Sequence, residues 1–153
     1  MTSYAVVPVG LVVSGRTALI EDHWDREVAT LELDEGVVGA DATVGLADFS
    51  HAEIVFGFHL STQARTTLAH PRGNEAWPLV GVLSGRGPHR PNHLGVTVCR
   101  LLEVDGLRVT VRGLDAIVGS PIFDVKPYSP ELLPRGELRG PPWMTELMRD
   151  YYD

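Results

Sequence analysis

The chain has 153 residues, 44% of them hydrophobic, a single cysteine and a formal net charge of −7. These values are typical of one globular domain and exclude an internal disulfide, and no apolar run approaches the roughly eighteen residues of a membrane-spanning helix. The N-terminal segment lacks the basic and apolar stretches of a signal peptide, so the cytoplasm is the expected location. Because the protein is acidic, it can hold a nucleic acid only where basic side chains cluster.

Most of the predicted elements are strands. Runs of β-branched and aromatic residues bounded by turn residues predict them over 5–13, 28–33, 52–59, 79–83, 95–104, 107–112 and 121–125. Asp105-Gly106 is a strong turn signal that joins two of these runs into a hairpin. Glycine and proline interrupt the runs about every eight to twelve residues, which is typical of a barrel or sandwich rather than of βαβ units. The sequence therefore predicts an all-β fold, a single antiparallel β-barrel.

One short helix is expected near the C-terminus. Trp143, Leu147 and Tyr151 recur at four-residue spacing after two prolines, which favours a short amphipathic helix. We therefore expect a β-barrel domain over residues 1–130 and a C-terminal extension with a short helix over 131–153.

The loop over residues 84–95 is the expected active site. It contains Arg86, Arg90 and Asn92 among glycines and prolines, between two apolar runs. Such a composition is poor material for a core and suits the binding of a polar ligand.

Several other chemistries lack their motifs. The chain has neither a Gly-x-x-x-x-Gly-Lys-Ser/Thr phosphate loop nor a Gly-x-Gly-x-x-Gly turn before a helix, and Ser84 lacks the surroundings of a nucleophile elbow. The lone Cys99 excludes a paired-cysteine zinc site and is expected to be buried and inert. His89 and His93 are separated by Pro91 and cannot share a helical face, so no metal site is expected.

Three motifs follow one another along the chain: GLADFSHAEIVFGFH at 45–59, RGPHRPNHLG at 86–95 and LDAIVGSPIFDVKPY at 114–128. Together they resemble the signature blocks of the TrmO family, also called TsaA-like or YaeB-like. The resemblance implies an S-adenosylmethionine-dependent methyltransferase built on a β-barrel and active as a homodimer. It also implies methylation at N6 of threonylcarbamoyladenosine, beside the anticodon of a threonine tRNA. Where this chain has His89 and His93, the family pattern has phenylalanine and proline.

The resemblance further implies which residues bind the ligands. The cofactor would be held by the loop and the start of the next strand, at Arg86, His89, Arg90, Pro91, Asn92, Leu94 and Gly95. Guanidinium groups suit the cofactor's carboxylate or ribose hydroxyls, and Asn92 suits the edge of adenine. The methyl acceptor would contact His93, Arg72 and Tyr128.

Strand parity separates the candidate catalytic residues from the core. Glu53 and His59 alternate with an apolar set that should fill the barrel, and Asp124 and Lys126 share one face of the last strand. Glu53, His59 or Asp124 can accept the proton of an amine substrate or offset the sulfonium charge. A solvated glutamate, a structural histidine and an exposed Asp124–Lys126 ion pair are the alternative interpretations, and the sequence leaves them open.

Three functions remain open at this point. They are methylation of a modified adenine in tRNA, methylation of a small metabolite or nucleoside by the same fold, and binding of a cofactor or nucleoside without catalysis. The acidic charge favours a small acceptor over RNA, but the family resemblance keeps the tRNA acceptor as the first hypothesis. The combination of Arg90, Asn92, Asp124 and Lys126 favours an enzyme over a binding protein.

Overall fold

Six strands close into one antiparallel barrel in the computed structural model of the chain, which describes residues 2–153. The strands are β1 (Gly10–Ser14), β2 (Val28–Leu33), β3 (His51–Gly57), β4 (Leu94–Asp105), β5 (Arg108–Arg112) and β6 (Pro121–Tyr128). Around the barrel they follow the order β1-β2-β5-β4-β3-β6. The predicted all-β fold and single antiparallel barrel are confirmed.

The helices are short. Within residues 2–153 they are α1 (Glu35–Val38), α2 (Pro142–Leu147) and 3₁₀ turns at Trp24–Arg26, Leu46–Asp48, Pro71–Gly73, Val82–Ser84 and Pro130–Leu132. The predicted C-terminal helix is confirmed, and it begins at a proline, whose missing N–H is not needed at a first helical position. In this part of the chain no helix has the length and apolar character needed to cross a bilayer.

Alternate residues of the strands fill the interior. The buried apolar set on the strands is Val12, Ala29, Leu31, Leu33, Ala52, Ile54, Phe56, Cys99, Val109, Val111 and Ile122. Because successive side chains point to opposite faces, the intervening residues of each strand face outward. Burial and the nearby Asp115 carboxylate raise the pKa of Cys99, in agreement with the predicted inert thiol.

The longest strand, β4, connects the two halves of the barrel. Its first half pairs with β3 and its second half with β5. Arg100 lies where the two pairings meet, with His51 opposite it on β3 and Arg112 opposite it on β5. The same cross-strand row continues to Tyr128 on β6.

The predicted start of the first strand is wrong. Strand structure begins at Gly10 rather than at residue 5, and Val6 and Val7 are exposed. Pro8 has no N–H to give to a ladder, and the β1 pairings with β2 and β6 both begin at Gly10. An apolar run needs a partner strand as well as the right residues.

The strand predicted over 79–83 is also wrong. Val80 forms only an isolated bridge with Ala69, and the next residues form a 3₁₀ turn at Val82–Ser84. Leu79 and Leu83 are largely exposed, so this short apolar run contributes little to the barrel interior.

The β4–β5 hairpin is present, but its turn falls one residue later than predicted. Asp105 pairs with Arg108, so Gly106 and Leu107 form the turn. Gly106 has a φ of 55°, which glycine adopts without the cost that a Cβ would bring.

Candidate active site

The loop over 84–95 is shaped by bonds to its own carbonyls. The Arg90 guanidinium donates to Gly85 O at 3.0 Å, and the Arg90 backbone N–H donates to Pro88 O at 2.9 Å. His93 donates from Nδ1 to Pro88 O at 3.0 Å and from its backbone N–H to Arg90 O at 3.1 Å. Arg90 and His93 therefore hold the loop in a defined shape before any ligand binds.

The same loop is tied to the segment that leaves β3. Phe58 N–H donates to His93 O at 2.8 Å, and Arg65 N–H donates to His89 O at 3.2 Å. Ser61 Oγ lies 3.0 Å from His89 Nδ1. These bonds fix the loop at the end of the barrel where β3 ends and β4 begins.

Two positions of the loop have special backbone requirements. His93 has a φ of 50°, which is closed to proline, so the loop here differs from one with proline at this position. Gly95 lies directly on the ring of Phe56, and a Cβ at Gly95 would come within 2.3 Å of that ring. Gly95 thus has a packing reason to be glycine.

Several side chains of the loop face solvent and are available to a ligand. Arg86, His89, Pro91, Asn92 and Leu94 are all exposed. Arg86 donates one N–H to Val96 O at 2.8 Å, which anchors its guanidinium over the start of β4 while the residue as a whole stays exposed. A guanidinium and an amide presented from a fixed backbone suit a carboxylate, hydroxyls and a heteroaromatic edge.

Three of the predicted catalytic residues lie on the outer face of the barrel. Glu53 is opposite Lys126 on β6 and opposite Val98 on β4. Lys126 forms an ion pair with Asp124, and the hydrogen bond to Asp124 and its charge raise the pKa of Lys126. The expected common face of Asp124 and Lys126 is therefore observed, as an ion pair between two partly exposed side chains.

His59 lies apart from those three residues, beyond the end of β3. Its Nδ1 lies 3.2 Å from Ser120 Oγ, and its Nε2 would lie 3.3 Å from a Cβ on Gly119. Gly119 has a φ of 89° and no side chain, so it leaves the edge of the His59 ring open. The structure does not bring His59 together with Glu53.

Asp124 also lines the wall of a cleft. The cleft has a volume of about 550 Å³ and lies between β6 and the segment that follows β2. Val38, Thr43, Phe49 and Val125 are among the residues that line it, and none of its lining residues belongs to the loop over 84–95.

Two predicted substrate residues have partners within the chain. The Arg72 guanidinium lies 3.0 Å from Glu21 and 2.7 Å from Asp22, which neutralise it locally. Tyr128 is half-buried and faces His51 in the cross-strand row. A substrate would have to compete with two carboxylates for Arg72.

Sequence reasoning missed a polar cluster at Asp115. This carboxylate accepts hydrogen bonds from Thr97, which faces inward on β4, and from Tyr151 in the C-terminal segment. Burial and the Asp115 charge raise the pKa of Tyr151. The one available signal was Thr97, a hydroxyl at an otherwise apolar inward position.

Among residues 2–153 no three His, Cys, Asp or Glu side chains lie close enough to hold a metal ion.

Comparison with known proteins identifies the family. The family described as tRNA-methyltransferase O N-terminal domain matches residues 21–132. This chain belongs to that family. It is 44% identical over 92 residues to a tRNA (adenine(37)-N6)-methyltransferase of Homo sapiens, an overlap of 58% of this chain and 20% of that protein. It is also 34% identical over 101 residues to an S-adenosyl-L-methionine-binding protein of Archaeoglobus fulgidus, 66% of this chain and 70% of that protein.

Solved structures of this family share the fold. A crystal structure of TrmO superposes with a TM-score of 0.71 at 27% identity and covers 92% of this chain, with 66% of the TrmO chain matched. A second, from Pseudomonas aeruginosa, gives 0.72 at 25% identity, covering 94% of this chain and 62% of that chain. The chain spans about a fifth of the length of the human relative. It matches 66% of the first TrmO chain and 62% of the second.

Proposed function

We propose that this chain is an S-adenosylmethionine-dependent methyltransferase whose acceptor is N6 of threonylcarbamoyladenosine in tRNA. The observation that carries the proposal is the preformed arginine loop over 84–95, set on the barrel of the tRNA-methyltransferase O family. The human relative is named as a methyltransferase for adenine 37 of tRNA, which supports the acceptor. A cytoplasmic location is expected for such an enzyme.

The residues of the loop suit the bound cofactor. Arg86 and Asn92 are exposed, and Arg90 is already fixed through Gly85 O. Arg86 and Arg90 would bind the carboxylate or ribose hydroxyls, and Asn92 would read the adenine edge. When bound, S-adenosylmethionine supplies an electrophilic methyl group, and the chain must orient it towards the acceptor nitrogen and exclude water.

Methylation of an N6 nitrogen releases one proton, which a side chain or water must take. His59 has an exposed ring whose Nε2 faces the side-chain-free Gly119, and Asp124 lines the cleft beside β6. Replacing the proton acceptor should lower kcat by about 100-fold or more and leave cofactor binding unchanged. We therefore expect either His59→Gln or Asp124→Asn, assayed by kcat and by calorimetry of cofactor binding, to show that split. If neither does, Glu53→Gln is assayed in the same way, and a third result like wild type means that the proton passes directly to water.

The proposal is tested by methyl transfer itself. The protein is incubated with isotopically labelled S-adenosylmethionine and tRNA that lacks the methyl group, and the digested nucleosides are analysed by mass spectrometry. We expect label on threonylcarbamoyladenosine from threonine tRNA. The matched control is Asn92→Leu, which removes the proposed adenine contact at an exposed position and should abolish transfer without lowering the melting temperature.

A second candidate is methyl transfer to a small nucleoside or metabolite. It is favoured by the net charge of −7 and by the ion pairs that occupy Arg72 and Arg108 with acidic side chains. Turnover of such a molecule that does not respond to salt, with no label in tRNA, would replace the first proposal. Cofactor binding without any transfer would support a binding protein instead.

We also propose that the chain forms a homodimer. The C-terminal apolar residues that first suggested this, Trp143 and Leu147, are only partly exposed. The better support is the start of β4, where Leu94 and Val96 on the outer face are each more than a third exposed. We expect a dimer mass in sedimentation equilibrium and a monomer mass for Val96→Asp. A wild-type monomer at tens of micromolar would contradict the proposal.

A further inference from the structure

The cross-strand row at Arg100 forms one wall of a small cleft. His51, Arg100 and Arg112 occupy register positions on three neighbouring strands, and all three line a cleft of about 360 Å³. Tyr152, from the C-terminal segment, and Asp25 complete its polar lining. Two guanidinium groups and an imidazole are thus gathered at one concave position on an otherwise acidic protein.

The arginine pair is not explained by the stability of the barrel. Arg100 and Arg112 are directly opposite each other on adjacent strands, an arrangement in which like charges repel. The ion pairs of residues 2–153 involve Arg16, Arg72, Arg108 and Lys126, but neither arginine of the row. Asp25 lines the same cleft without reaching either guanidinium to form an ion pair. Among the residues that line the cleft, Asp25 is the one carboxylate beside these two positive charges.

Tyr152 gives the cleft an aromatic wall. Its side chain is 44% exposed and packs edge-on against Tyr151 at a centroid distance of 5.0 Å. Tyr151 in turn is held by its hydrogen bond to Asp115, so the position of the pair is fixed. Burial and the Asp115 charge raise the pKa of Tyr152 to about 12, so the phenol is neutral at cellular pH.

The cleft lies close to the candidate active site. Arg86, in the loop over 84–95, donates to Val96 O on β4, and Val98, two residues further along the same strand, lines the cleft. Along the outer face, the row of Glu53 and Lys126 is two residues from the row of His51 and Arg100. At the rise of a strand this separation is about 7 Å.

We propose that this cleft binds a phosphodiester of single-stranded RNA, with Arg100 and Arg112 on the phosphate and a neighbouring base stacked on Tyr152. An arginine pair matches the phosphate oxygens, and unpaired loop nucleotides are recognised by just such stacking on aromatic side chains. The inference rests on the proposed RNA acceptor and adds the place where the loop of that RNA is held.

The test compares the salt dependence of RNA binding in matched variants. Fluorescence anisotropy is measured with the labelled anticodon stem-loop of threonine tRNA at several salt concentrations. Losing two phosphate contacts lowers the slope of log Kd against log salt by about 1.4, which weakens binding about 25-fold near 0.1 M salt. We expect this of the double variant Arg100→Gln/Arg112→Gln. The control is Arg108→Gln, which removes one positive charge from β5 outside the cleft and should leave the slope nearly unchanged.

Two further measurements separate the parts of the proposal. Tyr152→Leu should weaken RNA binding about tenfold and leave the slope unchanged, because stacking releases no counterions. The double variant relieves a like-charge contact, so its melting temperature should not fall, and its affinity for S-adenosylmethionine should match wild type.

The outcomes distinguish this inference from the proposed function. If the double variant keeps the wild-type slope while wild type methylates tRNA, the cleft is not the RNA site but the enzyme assignment stands. If wild type shows no salt-dependent RNA binding and no tRNA methylation, both fail together. If polyglutamate competes with the RNA at equal charge, the cleft is a general anion site and the proposed recognition of RNA is wrong.

Discussion

Replacing Gly95 by alanine tests whether this glycine is needed for packing or for the cofactor. A Cβ at Gly95 would lie 2.3, 2.6 and 2.9 Å from three ring atoms of Phe56, whereas ordinary van der Waals contact is 3.4–4 Å. The ring would have to move by about 1 Å. Phe56 is fully buried and packs edge-on against Phe58 at a centroid distance of 5.2 Å, so the ring has no open space to enter.

We therefore expect Gly95→Ala to destabilise the protein by about 1–3 kcal/mol, the usual cost of overpacking a core. For a chain of this length that is a fall of about 3–9 °C in melting temperature. Denaturant unfolding followed by circular dichroism gives the free energy of unfolding directly. Gly87→Ala is the matched control, because no atom lies within 4 Å of its added methyl group and it belongs to the same loop.

The decisive measurement is a double-mutant cycle with Phe56→Leu. Shortening the ring makes room for the new methyl group, so Gly95→Ala should cost much less in that background, with a coupling energy of about 1 kcal/mol or more. Equal stability of the Gly95→Ala and Gly87→Ala proteins, or a cost that Phe56→Leu leaves unchanged, would refute the packing argument. A loss of cofactor affinity with no loss of stability would point instead to a direct role in binding.

Three other predictions concern the segments around the barrel. The Arg16 side chain is 8% exposed, donates to three backbone carbonyls and to Glu27, and lies 3.9 Å over the Trp24 ring. Arg16→Met should therefore lower the free energy of unfolding by about 2–4 kcal/mol, measured by thermal unfolding. Because the folded state raises the pKa of Tyr152 from 10.0 to about 12, its contribution to stability is fully present below pH 10 and should be lost between pH 10 and 12. In a urea-unfolding series Tyr152→Phe should make the fall in that range shallower, while Tyr151, whose pKa is also raised, keeps the rest. Cys99 should react with a thiol reagent only as fast as the protein unfolds, which stopped-flow absorbance against denaturant would check; rapid labelling of the native protein would contradict its burial.

The strands could be predicted from the sequence where alternation and pairing coincide. On β3 the buried residues Ala52, Ile54 and Phe56 alternate with Glu53 and Val55, and a period of two carries that information directly. The runs at 5–13 and 79–83 have similar composition, but one starts to pair only at Gly10 and the other finds no strand. Local residue types do not say whether a partner strand is within reach.

The candidate site was predictable in its residues and not in its contacts. Arg90 and His93 are typical ligand-binding residues, and the sequence predicts them in a loop before a strand, where the structure also has them. Their first partners are backbone carbonyls of Gly85 and Pro88, and carbonyl positions are invisible until the loop is folded. The Arg100–Arg112 pair was hidden for a different reason. Its register depends on an irregularity in the β4–β5 ladder near Leu101, which no spacing rule reveals.

The outer face of β6, β3, β4 and β5 links these separate observations. Lys126, Glu53 and Val98 form one cross-strand row, and Tyr128, His51, Arg100 and Arg112 form the next. Tyr128, predicted to contact the acceptor, therefore lies in the row that lines the proposed RNA cleft. The loop over 84–95, whose Arg86 donates to Val96 O on β4, the charged row and the arginine pair lie on one side of the barrel. The proposed transfer from a cofactor to a nucleotide would require that arrangement.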